Sequence, residues 1–220
     1  VATLVWELAR MLGGGGQGAL ALAALAAVAI LATKLAPLAV ALGCVLAVPT
    51  VAMALLARNR RLFVVMIAVI LLAGFGLILH RDSFGLMWML WLVLVVAATD
   101  ILGYFAGRLL GGPKFWPRVS PKKTWSGTLA GWVGAGLIGW VFMAQTGVGA
   151  QLIPISVAIS LASQMGDIAE SALKRHVGVK DSSNLLPGHG GVYDRFDGML
   201  GAAFLLVIVE SLTGFPPPPL

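Results

Sequence analysis

The chain has 220 residues, 59% of them hydrophobic and only 11% charged, and its mean hydropathy of +0.95 is that of a membrane protein and excludes an ordinary water-soluble domain. Fifteen Lys+Arg against nine Asp+Glu leave a net charge of +6, which would suggest nucleic acid for a soluble protein but here marks loops held beside anionic lipid. The single cysteine, Cys44, excludes an internal disulfide and a cysteine-based metal site, and it is predicted to lie in the core.

In chain order, Val1–Leu12 carries Trp6, Glu7 and Arg10 and reads as the tail of a helix, with a short interfacial helix as the alternative. Charge-free stretches then mark spans, because a bilayer core takes about 20 mostly apolar residues in a helix. They run Met11–Thr33, Leu35–Ala57, Leu62–Leu79 closed by His80, Ser83–Thr99, Ser126–Gly166 and Gly198–Val209. The fifth stretch contains the turn-like run Gln145–Ala150 and divides into two helices. The expected fold is therefore all-α, a polytopic transmembrane helical bundle of about seven spans. Residues 1–220 read as a single integral membrane domain, with further N-terminal spans expected to precede it. The Gly13–Gly16 and Pro216–Pro219 runs are predicted to be loop and tail.

Threading seven spans puts Arg10, Arg58, Arg60, Arg61, Arg108, Lys114, Arg118, Lys122, Lys123, Lys174, Arg175, Lys180 and Arg195 on one side, and only Lys34 and Arg81 on the other. That bias makes the first side cytoplasmic. The same side carries the long connections, residues 107–125 and 174–197, so chemistry on water-soluble substrates is expected there.

Carboxylates within or at the end of membrane helices are costly, which singles out Asp100, Asp167, Glu170 and Glu210. Asp167, Glu170, Ser171 and Lys174 share one helix face, and Ser163, Ser160 and Ser156 extend it. Such a stripe points to a protein interior or a water-filled cavity. A Glu170–Lys174 ion pair with serines bonding backbone carbonyls is the alternative. Gly103, Gly107 and Gly111, and then Gly127, Gly131, Ala135 and Gly139, recur every four residues, a spacing that lets helices approach closely.

Two connecting segments carry the chemistry. GGPKFWPRVSPKKTWSG (111–127) has three prolines, which forbid one continuous helix, and four bases without an acid, so it attracts phosphate. SALKRHVGVKDSSNLLPGHGGVYDRFD (171–197) combines bases and acids with glycines flanking His189, whose backbone N–H groups can cradle an anion. Asp194 and Asp197 are spaced to share a helix face. Carboxylates without cysteine suit Mg²⁺ before Zn²⁺, with substrate phosphates completing the shell. The residues describe a site for phosphoryl chemistry.

The pattern from Ser171 to Asp197 resembles the signature of the phosphatidate cytidylyltransferases, or CDP-diacylglycerol synthases. Gln164–Ser171, Val119–Trp125 and Asp100 with Tyr104–Arg108 resemble further motifs of that family. The chain departs from the family pattern at Ile101, where Thr or Ser is usual, and at Ser126, where Glu is usual, so Asp100 is left out of the expected ligand set and position 126 has no assigned role. The resemblance implies an Mg²⁺-dependent nucleotidyltransferase of phospholipid biosynthesis, which converts CTP and phosphatidate to CDP-diacylglycerol and pyrophosphate. It also implies a bacterial inner membrane with the site facing the cytoplasm, and a homodimer; no nucleic-acid partner is expected. On this basis Asp167 and Asp194 are expected to hold the metal, with Asp197 and Glu170 as further ligands. Lys174, Arg175 and His189 join those two aspartates as catalytic residues. Substrate binding is expected from Ser120, Lys122, Lys123, Thr124, Lys180, Asp181, Gly190, Gly191 and Arg195. His80 and His176 are expected to be structural. Transfer to another membrane lipid such as a polyprenyl phosphate, and a secondary transporter, are the competing readings.

Overall fold

A computed structural model describes residues 1–56 and 59–216. Arg58, counted above among the cytoplasmic bases, Ala57 at the end of the second expected span, and residues 217–219 of the proline tail lie outside the described residues. The elements are α1 (Ala2–Met11), α2 (Gly16–Leu35), α3 (Leu38–Leu55), α4 (Arg60–Phe84), α5 (Leu86–Leu109), β1 (Lys114–Trp116), β2 (Ser120–Thr124), α6 (Trp125–Thr146), α7 (Leu152–Val177) and α8 (Tyr193–Thr213).

Among the described residues, six helices, α2 and α4 to α8, are long and apolar enough to cross a membrane, while the apolar stretch Ala39–Leu55 of α3 is shorter and contains Pro49. Large apolar side chains such as Leu31, Leu35, Val133 and Leu212 stand exposed, a surface that lipid satisfies and water does not. The protein is an integral membrane protein. Cys44 is half-buried rather than in the core, because a helix in lipid can be apolar on faces that pack against nothing.

Two differences from the sequence reading have local causes. Helix α4 runs past Leu79 to Phe84 because His80 is buried and bonds through Nδ1 to the Glu210 carboxylate, so a polar residue continues the helix instead of ending it. The 111–127 segment is not plain loop. β1 and β2 pair antiparallel, with Lys114 opposite Thr124 and Trp116 opposite Ser120, and Trp125 N–H donates to Pro113 O at 3.0 Å. The prolines that exclude a helix are compatible with a two-stranded ribbon, whose outer edges have no ladder bonds to lose.

The chain divides into two compact units, one of Val1–Phe75 with Leu173–Phe196 and the other of Gly76–Ala172 with Asp197–Leu220. In the first, α1 packs on α2 and α2 on α3, and α1 turns Leu4, Val5, Leu8 and Ala9 inward. In the second, α5 packs on α6, around a core that includes Trp91, Leu92, Val95, Ala135, Phe142, Leu152, Ile159 and Leu206.

The glycine ladder acts in that second unit. A Cβ on Gly103 would lie 3.3 Å from Gly127 O, and one on Gly131 would lie 3.2 Å from Thr99 O, so the α5–α6 approach depends on bare backbone. Gly111 is different: it has φ +61 and open space around it, and it serves the turn after α5. The serine stripe faces the protein interior as expected. Trp91 Nε1 donates to Ser156 Oγ at 3.0 Å, and Thr99 Oγ1 to Ser160 Oγ at 2.7 Å.

Candidate active site

In the second unit, a cavity of about 450 Å³ is lined by the ends of α5, β2, α6 and α7, including Asp100, Tyr104, Arg108, Lys122, Lys123, Thr124, Gln164 and Asp167. Acids and bases therefore face one space. Lys123 Nζ lies 2.6 Å from Asp167 Oδ2 and donates to Gln164 O at 3.2 Å. Gln164 is itself held: its Oε1 accepts from Trp132 Nε1 at 3.1 Å and its Nε2 donates to Thr128 O at 3.3 Å. At the exposed edge, Arg108 donates to Tyr104 Oη at 2.8 Å.

The β-hairpin delivers the basic residues here. Along β2, Lys122 is exposed, Lys123 half-buried and Thr124, at the strand's end, buried. Thr124 is the N-cap of α6, its Oγ1 accepting from Gly127 N–H at 3.2 Å, which satisfies an amide that the helix itself leaves unpaired. Ser126, a position with no role assigned above, donates to Gly111 O at 2.5 Å and so closes the hairpin base against the end of α5. Ser120, also expected to bind substrate, lies half-buried at the start of β2.

Asp167, Glu170 and Asp197 bring one carboxylate oxygen each to within 4.8 Å of one another. The close crossing of α7 and α8 makes this possible: a Cβ on Gly166 would strike Asp197 O and lie 3.1 Å from Gly201 Cα, and one on Gly201 would strike Ala162 O. An all-oxygen set of three carboxylates fits a hard divalent cation and offers nothing to a soft one.

Asp194 is engaged elsewhere, within the first unit. Its Oδ1 accepts from Lys174 Nζ at 2.7 Å, and its Oδ2 accepts from Ser182 N, Ser182 Oγ and Gly191 N at 2.9, 2.8 and 2.7 Å. The backbone cradle expected around His189 therefore holds the chain's own carboxylate. Gly190, with φ +80, would bring a Cβ to 2.7 Å from Asp194 Oδ2, so the turn requires glycine twice over. The His189 carbonyl accepts from Arg195 Nε and Nη2 at 3.2 and 2.8 Å, while the ring Nδ1 faces Pro187 O at 3.1 Å. Arg175, Lys180 and Asp181 are exposed, and His176 Nε2 lies 3.4 Å from Asn59 Oδ1.

Sequence reasoning passed over Glu7. It is fully buried and accepts from Ser183 Oγ at 2.5 Å, Val192 N at 2.9 Å and Tyr193 N at 2.6 Å. The available signal was an acid on the inward face of an amphipathic helix, one turn from Leu4 and beside Leu8. Asp100 was likewise left out on a family departure, yet it lines the cavity with Asp167.

Comparison with known proteins places the chain in a family. Residues 1–212 match the model of the Cytidylyltransferase family. A phosphatidate cytidylyltransferase of Brucella suis biovar 1 (strain 1330) is 45% identical over 141 residues, 63% of this chain and 52% of the relative. Phosphatidate cytidylyltransferases of Bacillus subtilis (strain 168), 44% identical over 55% of this chain and 46% of the relative, and of Staphylococcus saprophyticus, 39% identical over 63% and 54%, are also similar. The chain thus spans about half the length of these relatives. With a family match over nearly all of its residues, laid on a helical membrane scaffold, the chain belongs to the cytidylyltransferase family.

Proposed function

We propose that the protein transfers the cytidylyl group of CTP to phosphatidate, giving CDP-diacylglycerol and pyrophosphate, at the cytoplasmic side of a bacterial inner membrane. The observation that carries this reading is the cluster of Asp167, Glu170 and Asp197 in the same unit as a cavity lined by Arg108, Lys122 and Lys123. A phosphatidate oxygen forms a bond to the α-phosphorus of CTP as the α–β bridging P–O bond breaks, and the electron pair leaves with pyrophosphate. The phosphate nucleophile is ionised near neutral pH, so no strong general base is needed, and positioning with charge neutralisation is the main catalytic work.

Asp167, Glu170 and Asp197 would hold Mg²⁺, with Asp194 as a further candidate once its present bonds are released. The ion would neutralise phosphate charge and polarise the α-phosphoryl group. Lys122 and Lys123 then orient the triphosphate, Thr124 offers its hydroxyl to the same cavity, and Arg108 suits the lipid phosphate. From the signature segment Lys174, Arg175, Lys180 and Arg195 add positive charge, and Asp181, His189, Gly190 and Gly191 shape its turn. The excess of bases on the hairpin and signature segments supports a cytoplasmic site.

The test is to incubate reconstituted protein with labelled CTP, Mg²⁺ and phosphatidate and follow label into the lipid phase. Lipid-borne label that requires phosphatidate supports the reading. Label only with a polyprenyl phosphate redirects it to that acceptor, and no label with any lipid overturns it in favour of a transporter.

A further inference from the structure

We propose that Glu7 is a positioning residue for the reaction: its carboxylate, brought in by the first helix, ties the signature segment to the start of α8, a role that rests on the cytidylyl-transfer reading above. A buried carboxylate costs several kcal/mol unless donors replace its water. Here the replacement is complete and specific. Glu7 Oε1 takes Ser183 Oγ at 2.5 Å and Val192 N at 2.9 Å, and Oε2 takes Tyr193 N at 2.6 Å. Two of those donors are amides at the first turn of α8, where the helix dipole favours an anion.

Val179, Leu185 and Leu186 are exposed, so apolar burial at these positions does not fix the path of the segment that Glu7 holds. Besides the Arg195 bonds to the His189 carbonyl and turn bonds such as Leu186 N–H to Gly190 O, two carboxylates gather it: Asp194 takes Lys174, Ser182 and Gly191, and Glu7 takes Ser183, Val192 and Tyr193. Each carboxylate has its own glycine. A Cβ on Gly190 would lie 2.7 Å from Asp194 Oδ2, and one on Gly191 would strike Ser182 Oγ and lie 2.5 Å from Glu7 Oε1. The paired glycines of the signature thus admit two acids from different helices, and Asp194, the residue directly after Tyr193, takes its place from the bonds Glu7 makes.

Glu7→Gln tests this, because a carboxamide replaces one acceptor oxygen with a donor facing either the Tyr193 amide or the Ser183–Val192 pair. Ser183→Ala is the second variant; it keeps the buried charge and both amide bonds and so is expected to fold. Amide hydrogen exchange is measured on the reconstituted full chain, together with CTP kinetics and thermal melting. In Glu7→Gln, peptides covering 180–193 should exchange about 10-fold faster while those of α5 and α6 are unchanged. Its kcat should fall about 10-fold or more, with KM for CTP moving less than about 3-fold. Ser183→Ala should shift exchange and kcat the same way but less, and the double variant should be no worse than Glu7→Gln alone. Unchanged exchange at 180–193, or a normal kcat per folded molecule with only a lower melting temperature, would overturn the proposal. If the wild-type chain transfers no cytidylyl group, the proposed function fails, and the exchange result still decides whether Glu7 is the tether.

Discussion

Replacing Gly166 by alanine should weaken Mg²⁺ binding without touching a charged residue. The added Cβ would meet Asp197 O at far less than contact distance and lie 3.1 Å from Gly201 N, and neither backbone atom can rotate away. Restoring an ordinary separation of about 3.5 Å requires α7 and α8 to part by about 1 Å. The carboxylate oxygens of Asp167, Glu170 and Asp197 lie within 4.8 Å of one another, and ligands on opposite sides of Mg²⁺ are about 4.2 Å apart. Parting the helices by about 1 Å would move Asp197, on α8, away from Asp167 and Glu170, on α7, and loosen the shared site. The expected result is a rise of about 10-fold or more in the Mg²⁺ concentration for half-maximal activity, with overpacking costing about 1–3 kcal/mol in stability. Gly201→Ala, whose Cβ strikes Ala162 O, should behave alike. Gly198→Ala is the control, since its Cβ meets the Ser163 hydroxyl at 2.7 Å and that side chain can turn. Mg²⁺ titrations of initial rate and detergent-phase melting curves measure both effects. Wild-type Mg²⁺ half-saturation in both Gly166→Ala and Gly201→Ala would refute the view that this helix crossing builds the metal cluster.

Lys123→Met keeps the aliphatic stem but removes the charge beside Asp167, and initial-rate kinetics should show kcat/KM for CTP down by about 100-fold; a change under threefold would remove Lys123 from the phosphate site. His80→Leu breaks the buried bond to Glu210, and melting should register a loss of about 2–4 kcal/mol. Because Glu210 lies 13 residues beyond Asp197 on α8, roughly 20 Å along the helix, activity per folded molecule should stay unchanged. Thr124→Val removes the cap of α6 and should cost about 1 kcal/mol in melting experiments, and a raised KM for CTP would add a substrate contact to the capping role.

The helices were legible because the bilayer demands about 20 apolar residues per span, a one-dimensional requirement, so charge positions alone place most of them. The exceptions follow from partners that spacing along the chain does not reveal. His80 looked like a helix end because its acid, Glu210, is 130 residues away. The hairpin was missed because prolines exclude a helix without saying what replaces it.

The same contrast runs through the site. Asp167, Glu170, Lys123 and the glycine-flanked His189 turn stand out as candidates by residue type, since carboxylates and bases in an apolar chain are costly. Their partners required the tertiary structure. Asp197 shares a cluster with Asp167 only because Gly166 and Gly201 let two helices touch, Asp194 spends both oxygens on its own segment, and Glu7 reaches Tyr193 across 186 positions. Composition and periodicity determined that this protein is a helical membrane protein, and residue type singled out the acids and bases proposed for phosphate chemistry. Which acids meet was decided by close helix contacts and by long-range hydrogen bonds, because those depend on distances in space that local sequence does not encode.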